Sequence, residues 1–300
     1  SAMHDIVALR FVVLAASTLS FARAAALAGV KQATLSKRVS QFEARLGLKL
    51  FERSTRGAVP TANGLGIIDV ARRILADLDT LHESGRAIGM GRAGSLGLGF
   101  STSLAAGNMR ALIVDFVERS PQLRIVGVEG DRSRLFQALQ ARTIDFAVIC
   151  GDLPELGVER RPLWSERVMV VLHSQHDLAE KERIYWPDLR RERFVVPRHD
   201  PGADLANIAT ARLSEPGWRP DIETQDVTRD NIMNMVPIGR FVSLTTDTAL
   251  GRVLPGIVLR EIHELPGNVT SIAYAGYWRS DNDSPALARL LKLIGDRYPA

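Results

Sequence analysis

Cysteine is almost missing from this chain of 300 residues, which holds only Cys150. One thiol excludes an intramolecular disulfide framework and fits a reducing compartment, so a cytoplasmic location is expected. Cys150 follows the apolar run Phe146 to Ile149, where a buried strand end is the expected setting. With no second cysteine, it has no resolving partner for thiol sensing. Long apolar runs are missing too. No stretch approaches the roughly 20 residues of a membrane span, and no membrane partner is expected. Phe11 to Leu19, followed by small residues, has the outline of a secretory signal, but the segment before it lacks a cationic n-region. It reads instead as an amphipathic first helix with Ile6, Leu9, Val13 and Ala16 turned inward. Zinc-ligand spacings, a G-x-S-x-G elbow and a phosphate-cradling G-x-x-x-x-G-K-[ST] loop are absent as well. Gly94, Gly97 and Gly99 lie along a strand pattern, the wrong setting for a nucleotide loop. No catalytic residue, metal or cofactor is therefore expected.

Charge is unevenly placed. Residues 1–94 hold 13 Lys and Arg against 7 Asp and Glu, a net of +6, in a chain whose total is +4. Residues 95–300 thus carry 25 basic and 27 acidic groups. The positive excess on the N-terminal segment is what contact with a polyanion requires.

Residues 20–64 read as helix, tight turn, helix and basic hairpin. Phe21, Ala24, Ala25 and Ala28 form a small-residue helix, and Gly29 with Val30 makes the turn. Leu35, Val39, Phe42 and Leu46 recur at helical spacing and mark a buried face. Opposite them lie Ala33, Ser36, Lys37 and Ser40, groups able to approach base edges and phosphates.

This segment resembles the winged helix-turn-helix of LysR-type transcriptional regulators. The resemblance rests on Phe21 to Ala25, Val30, Gln32, Leu35, Ser36, Leu46, Gly47, Leu50 to Arg53, Thr61 and Gly64. It implies that Gln32, Ala33, Thr34, Ser36 and Lys37 open a recognition helix in the major groove of double-stranded DNA. It also implies that Arg53 and Arg56 of the wing meet phosphates or the minor groove. Lys31 stands where the family usually has a capping Ser, and Lys cannot cap through a side-chain acceptor, so Lys31 is expected on a phosphate or a guanine. Ala33 and Thr34 replace a common Pro-Ala pair, and Gly57 and Pro60 stand where a basic residue and an aliphatic are common.

From Thr61, a plausible N-cap, to about Gly89 the pattern is one long helix. Ile67, Ala71, Ile74, Leu78 and Leu81 form a heptad seam expected to pair with a second copy. A two-fold dimer implies a DNA site with dyad symmetry. The family resemblance adds pairing of dimers into tetramers and RNA polymerase as a further partner. Gly89 to Gly94 is expected to be a hinge.

Beyond the hinge, strand and helix patterns alternate, which argues for an open, mainly parallel α/β sheet. Strands are expected at 96–100, 123–128, 146–149, 168–172, 194–196, 222–226, 241–244 and 269–274. Helices are expected at 107–119, 135–142, 204–214, 228–237 and 285–294. Two lobes joined by two crossings resemble the type-II periplasmic-binding-protein fold of LysR-type effector domains. The resulting division is a DNA-binding domain at 1–64, a linker at 65–94 and an effector domain at 95–300. Lobe I covers about 95–161 and 268–300 and lobe II about 162–267, with crossings near 161–163 and 266–268.

Ligands of such lobes sit at strand carboxyl ends beside helix N-termini. The candidate effector residues are Ser101, Thr102, Ser103, Asp131, Ser133, Arg198, His199, Thr228, Arg229 and Thr245. Arginine pairs with carboxylates, so this hydroxyl-rich, positively charged rim points to a small organic acid. His199, a lone loop histidine, reads as solvated. Two rival functions remain. A solute receptor on the same two-lobe fold would need an export signal. A DNA-binding protein without sequence preference or effector would spread its charge and need no acidic-leaning lobe pair.

Overall fold

The computed structural model describes residues 2–54, 57–252, 254–265 and 267–299, with the side chains of residues 2–5, Arg53 and Ser54 outside the description. The chain divides into two compact units, residues 1–86 and 87–300.

The first unit contains α1 (Ala2–Thr18), α2 (Phe21–Ala28), α3 (Gln32–Leu46), β1 (Phe51–Ser54), β2 (Gly57–Pro60) and most of α4 (Ala62–Gly89). Ser20 starts α2 by accepting the Arg23 N–H at 3.3 Å. Gly29 ends it at φ +67°, a conformation glycine adopts without Cβ strain. Buried Ala24 and Ala25 let α2 lie close to its neighbours. In α1 the inward face is Ala8, Leu9, Phe11, Val12 and Ala15; Ile6, Val13 and Ala16 are only half-buried. The buried face is thus rotated from the expected one, with Phe11 and Val12 turned into the core and Ala8 and Ala15 allowing close approach.

Leu35, Val39 and Phe42 of α3 are buried as expected, whereas Leu46 is 43% exposed. Gly47 turns the chain there at φ +64°, and Leu48 takes the place against the core instead. Glu43 is the unexpected core member. Its Oε1 accepts the N–H groups of Leu50 and Phe51 at 2.8 and 3.1 Å, fastening α3 to the start of the wing. Gly57 has φ +117°, and a Cβ there would collide with the Leu19 carbonyl, which accounts for glycine at this position. Thr61 caps α4 as expected, accepting the Gly64 N–H at 2.8 Å and donating to the Lys49 carbonyl at 2.8 Å.

In the second unit, β3 (Ala93–Phe100), α5 (Gly107–Arg119), β4 (Gln122–Glu129), α6 (Arg132–Gln140) and β5 (Phe146–Cys150) form a parallel β4-β3-β5 group. Then come β6 (Val158–His173), β7 (Ile184–Tyr185), β8 (Arg193–Pro197), α7 (Gly202–Leu213) and β9 (Asp221–Gln225). The chain ends with α8 (Arg229–Met235), β10 (Ser243–Thr246), β11 (Ile257–His263), β12 (Ser271–Arg279) and α9 (Pro285–Arg297). The main sheet has the order β4-β3-β5-β12-β6-β11-β7, β10 also pairs with β6, and β8 pairs with β9 in parallel. The α/β alternation is as the sequence implies, but the main sheet is mixed rather than mainly parallel, since β12 pairs antiparallel with β5 and β6, and β10 and β11 pair antiparallel with β6; β11 and the short β7 are further strands the patterns do not mark. The pattern Ile-Val-Leu-Arg-Glu-Ile-His of β11 mixes charge into its run and lacks a clean period.

β6 pairs with β12 from Val158 to Arg167 and with β10 and β11 from Val168 onward. The first crossing therefore falls at Arg167–Val168, not near 161–163. The return falls at Thr270, whose carbonyl accepts from Val168 N and whose N–H donates to Ile262 O, both at 2.8 Å, rather than near 266–268. Residue patterns mark a strand but not the point where it changes partner. The glycine-rich stretch expected as a hinge is a helix cap followed by a strand start: Gly91 closes α4 at φ +64°, and β3 begins at Ala93. A Cβ on Gly91 would collide with the Pro285 carbonyl.

Removing the Glu43 side chain strands two buried N–H groups. Glu43→Ala is expected to lower the stability of the first unit by about 3 kcal/mol, at roughly 1–3 kcal/mol per unsatisfied group. Denaturant unfolding of the variant checks this; a loss below about 0.5 kcal/mol would mean that water reaches those amides.

Candidate functional site

On the first unit, Lys31, Gln32, Ala33, Thr34 and Lys37 are exposed and Ser36 is half-buried. All lie on the N-terminal half of α3, opposite its core stripe. Lys31 occupies the N-cap position in an extended conformation and makes no side-chain cap. A helix of this width, with small and cationic side chains leading, fits a major groove. Arg53 stands opposite Ala58 in the wing ladder, its side chain outside the described residues. Arg56 lies outside them altogether.

The expected seam of α4 is split by its own domain. Ala71 is 1% exposed and packs in the first unit's core beside Ile68, with Ile67 and Leu75 partly buried there. Ala71 therefore belongs to the core and leaves the candidate interface. Ile74 and Leu81 are exposed and Leu78 is half-buried, so the outward stripe begins at Ile74, about two turns later than the heptad pattern implies.

On the second unit, a cavity of about 890 Å³ opens between the lobes, within the size range of small-molecule sites. It brings together Ser101, Thr102, Ser103, Asp131, His199, Thr228 and Arg229 of the expected set. Three expected residues fall elsewhere. Arg198 points to Asp226 at 3.5 Å on the surface. Ser133 sits in the first turn of α6 outside the lining. Thr245 is buried in β10 opposite Met169. Beside Arg198 and Ser133 it is His199 and Arg134 that take the inward direction. Asp200, in the same candidate loop as His199, lines the cavity too, while Glu129, Arg134, Asp230 and Arg252 line it unanticipated; the signal available was their place in the same loops and first helical turns.

The rim is thus mixed in charge rather than positive, and its arginines are largely paired. Arg252 meets Asp230 at 2.6 Å, and Arg229 Nη2 meets Glu129 Oε1 at 3.3 Å. Several joints link the lobes. His199 Nδ1 lies 3.3 Å from Asp131, Arg132 N donates to Asp200 Oδ2 at 2.8 Å, and the Cys150 thiol donates to Asp204 at 2.8 Å. The Arg134 N–H holds the Asp131 carboxyl below its ordinary pKa, with His199 adding to this. Burial pushes Asp200 above its ordinary value. Burial, and next the Asp204 hydrogen bond, push the Cys150 thiol far up, so it stays protonated and a poor nucleophile. Cys150, Asp200 and Asp204 place ligand atoms within 4.8 Å of one another, the one such metal-capable group among the described residues. Their protons and lone pairs are engaged in joining the lobes.

At the cavity floor Thr102 donates to Glu166 Oε1 at 2.7 Å, and Trp164 Nε1 approaches the same oxygen at 3.4 Å. Glu166 is 2% exposed, and burial raises its pKa above the ordinary 4.5.

Residues 90–299 match the family model described as the LysR substrate binding domain, and residues 6–65 match that of the bacterial regulatory helix-turn-helix proteins of the lysR family. The chain belongs to the LysR family of transcriptional regulators. It is similar to HTH-type transcriptional regulator TtuA of Agrobacterium vitis, 28% identical over 298 residues that cover 97% of each chain. The crystal structure of CbnR, a LysR family transcriptional regulator, superposes with a TM-score of 0.85 at 21% identity, covering 96% of this chain and 99% of that one. Full-length CbnR complexed with its target DNA gives 0.83 at 20% identity, with 97% and 98% covered. At such identities the two structures establish the fold. The LysR-family assignment makes the first unit the DNA-binding part and the second the effector-binding part, in a family of regulators rather than enzymes. Among the described residues no helix is long and apolar enough to cross a membrane.

The raised pKa of Glu166 gives this regulator a testable pH response. The folded chain binds that proton more tightly than the unfolded chain, so the contribution is complete below the ordinary 4.5 and is lost as pH rises through the folded value. Glu166→Gln removes the term. As pH rises above the ordinary 4.5, the effector domain of the variant should gain in melting temperature relative to wild type. Parallel calorimetric curves for the two proteins would contradict the assignment.

Proposed function

We propose that this LysR-family chain regulates transcription by binding a dyad-symmetric operator as a homodimer or homotetramer, under control of a small organic acid held between the lobes. The observation that carries the effector reading is the interlobe cavity itself. Loop residues 101–105 and 129–131 of one lobe face residues 199–200 and 228–230 of the other across it. Within it the Arg229 guanidinium is largely buried and its Nη1 has no protein partner, a donor suited to a carboxylate. A ligand bridging both lobes shifts the population of closed and open arrangements in favour of the one it contacts better.

DNA contact is supported by the exposed cationic start of α3 and by the charge excess of residues 1–94. That CbnR is known with its target DNA agrees with this reading. Self-association is supported by the outward stripe Ile74, Leu78 and Leu81 on α4. A second face on the effector domain carries exposed Val114 and Val117 of α5 and Val126 of β4, the latter on an edge strand of the sheet; two separate faces favour a tetramer. RNA polymerase is the partner through which the bound regulator acts, and the cytoplasm is where it meets DNA.

Three measurements test this. Footprinting upstream of the chain's own gene should protect a dyad-symmetric site, while uniform, salt-sensitive shifts without protection would favour non-specific binding. Lys37→Ala with Arg53→Ala should weaken operator binding by about tenfold or more and flatten its salt dependence, with the helical circular dichroism unchanged. Leu78→Glu with Leu81→Glu should raise the dimer dissociation constant by at least about tenfold in sedimentation equilibrium, two buried charges being costly; an unchanged dimer would remove α4 from the interface.

A further inference from the structure

The floor of the cleft fixes which hydrogen-bonding groups the cavity can offer. Thr102 lines the cavity and gives its hydroxyl proton to Glu166 Oε1 at 2.7 Å. A hydroxyl has one proton and two acceptor sites, so Thr102 presents only an acceptor to a ligand beside it. Ser103 is set the other way. Its Oγ accepts the Ala105 N–H at 3.1 Å, which leaves its own proton to donate. Arg229 adds a second donor, since Nη2 is engaged by Glu129 while buried Nη1 is not engaged.

Two buried polar atoms without a partner belong to this one region, Arg229 Nη1 and Glu166 Oε2. Tyr274 is fully buried with Thr102 as its hydrogen-bond partner, and lies within electrostatic reach of Glu166 and Arg229. Buried polar groups are nearly always satisfied, so a pair of unsatisfied ones next to a cavity marks a place organised around a polar guest. The remaining charges limit that guest. Arg252 is paired with Asp230 and Arg229 with Glu129, and Arg134 lies exposed on the rim, so the buried Arg229 Nη1 is the desolvated donor that one carboxylate can reach, and a donor beside that carboxylate is matched by Thr102.

We infer that the cavity is built for a carboxylic acid bearing a hydrogen-bond donor next to its carboxylate, that is, a hydroxy or amino acid. The carboxylate takes the Arg229 and Ser103 protons, and the donor meets Thr102. Glu166 acts as a positioning residue that holds the Thr102 proton away from the ligand. The inference rests on the organic-acid reading above and narrows it.

The test uses the full chain and three matched trios: propionate, L-lactate and L-alanine; succinate, L-malate and L-aspartate; phenylacetate, mandelate and phenylglycine. Within each trio only one hydrogen, hydroxyl or ammonium changes. Calorimetric titration should find, in at least one trio, a donor-bearing acid bound about tenfold or more tighter than its parent. Thr102→Val, close in volume, should bring that ratio to about one without weakening the parent acid. Glu166→Gln, whose amide can donate to Thr102 and turn its proton outward, should lower the same ratio while the melting profile shows a folded domain. Equal binding of parent and donor-bearing acids, or a ratio that survives Thr102→Val, overturns the inference and leaves the organic-acid reading standing. Binding of none of the nine acids, with operator protection intact, overturns both.

Discussion

Because β6 runs unbroken from Val158 to His173 yet changes partners between Arg167 and Val168, both lobes hang on one backbone ladder. The strand must satisfy its N–H and C=O groups along its whole length. It does so with β12 in the first lobe and with β10 and β11 in the second. This fixes the position of the cleft: Glu166, just before the switch, holds the cavity-lining Thr102 from beneath. Separate cores on the two sides of the switch leave the loops at the strand ends as the material between them.

The contacts across that cleft are polar and of modest strength. His199–Asp131 and Arg229–Glu129 have solvent-exposed partners, and such pairs contribute about 0–1 kcal/mol each. Cys150–Asp204 and Arg132–Asp200 are more buried and hold more firmly. A cleft closed by a few weak joints sits near balance, which is the condition under which a ligand of ordinary affinity shifts its population. The mixed charge of the rim serves the same end, since its acids and arginines neutralise one another and a guest must compete with those pairs to enter.

The DNA-binding unit solves a different problem, holding a short helix rigidly while leaving one face bare. Packing by Ala24 and Ala25 brings α2 close, and Glu43 ties the far end of α3 to the wing through two amides. The near end has no cap. With Lys31 at that position, the amides and positive dipole end of α3 face outward toward a partner carrying negative charge.

Local patterns by themselves determined much of this protein. The helical spacing of Leu35, Val39 and Phe42, the cap at Thr61, the limits of α4 and α5, and the α/β alternation beyond Ala93 were legible because each depends on neighbours within one or two turns. The resemblance carried by Phe21 to Gly64 supplied the winged helix-turn-helix and the two-lobe fold. Seven of the ten effector candidates meet at one cavity because strand ends converge in any such lobe. What only the tertiary structure decided involves partners distant in the chain. Glu43 became a core acceptor through amides seven and eight residues away, and Ala71 was claimed by its own domain's core. Glu166 came to support the cleft only through Thr102, 64 residues earlier. Arg134 and Arg252 entered the lining, and Thr245 left it, according to the direction each side chain takes once its strand or helix is docked. Residue type specifies what a group can do, and long-range packing specifies what it faces.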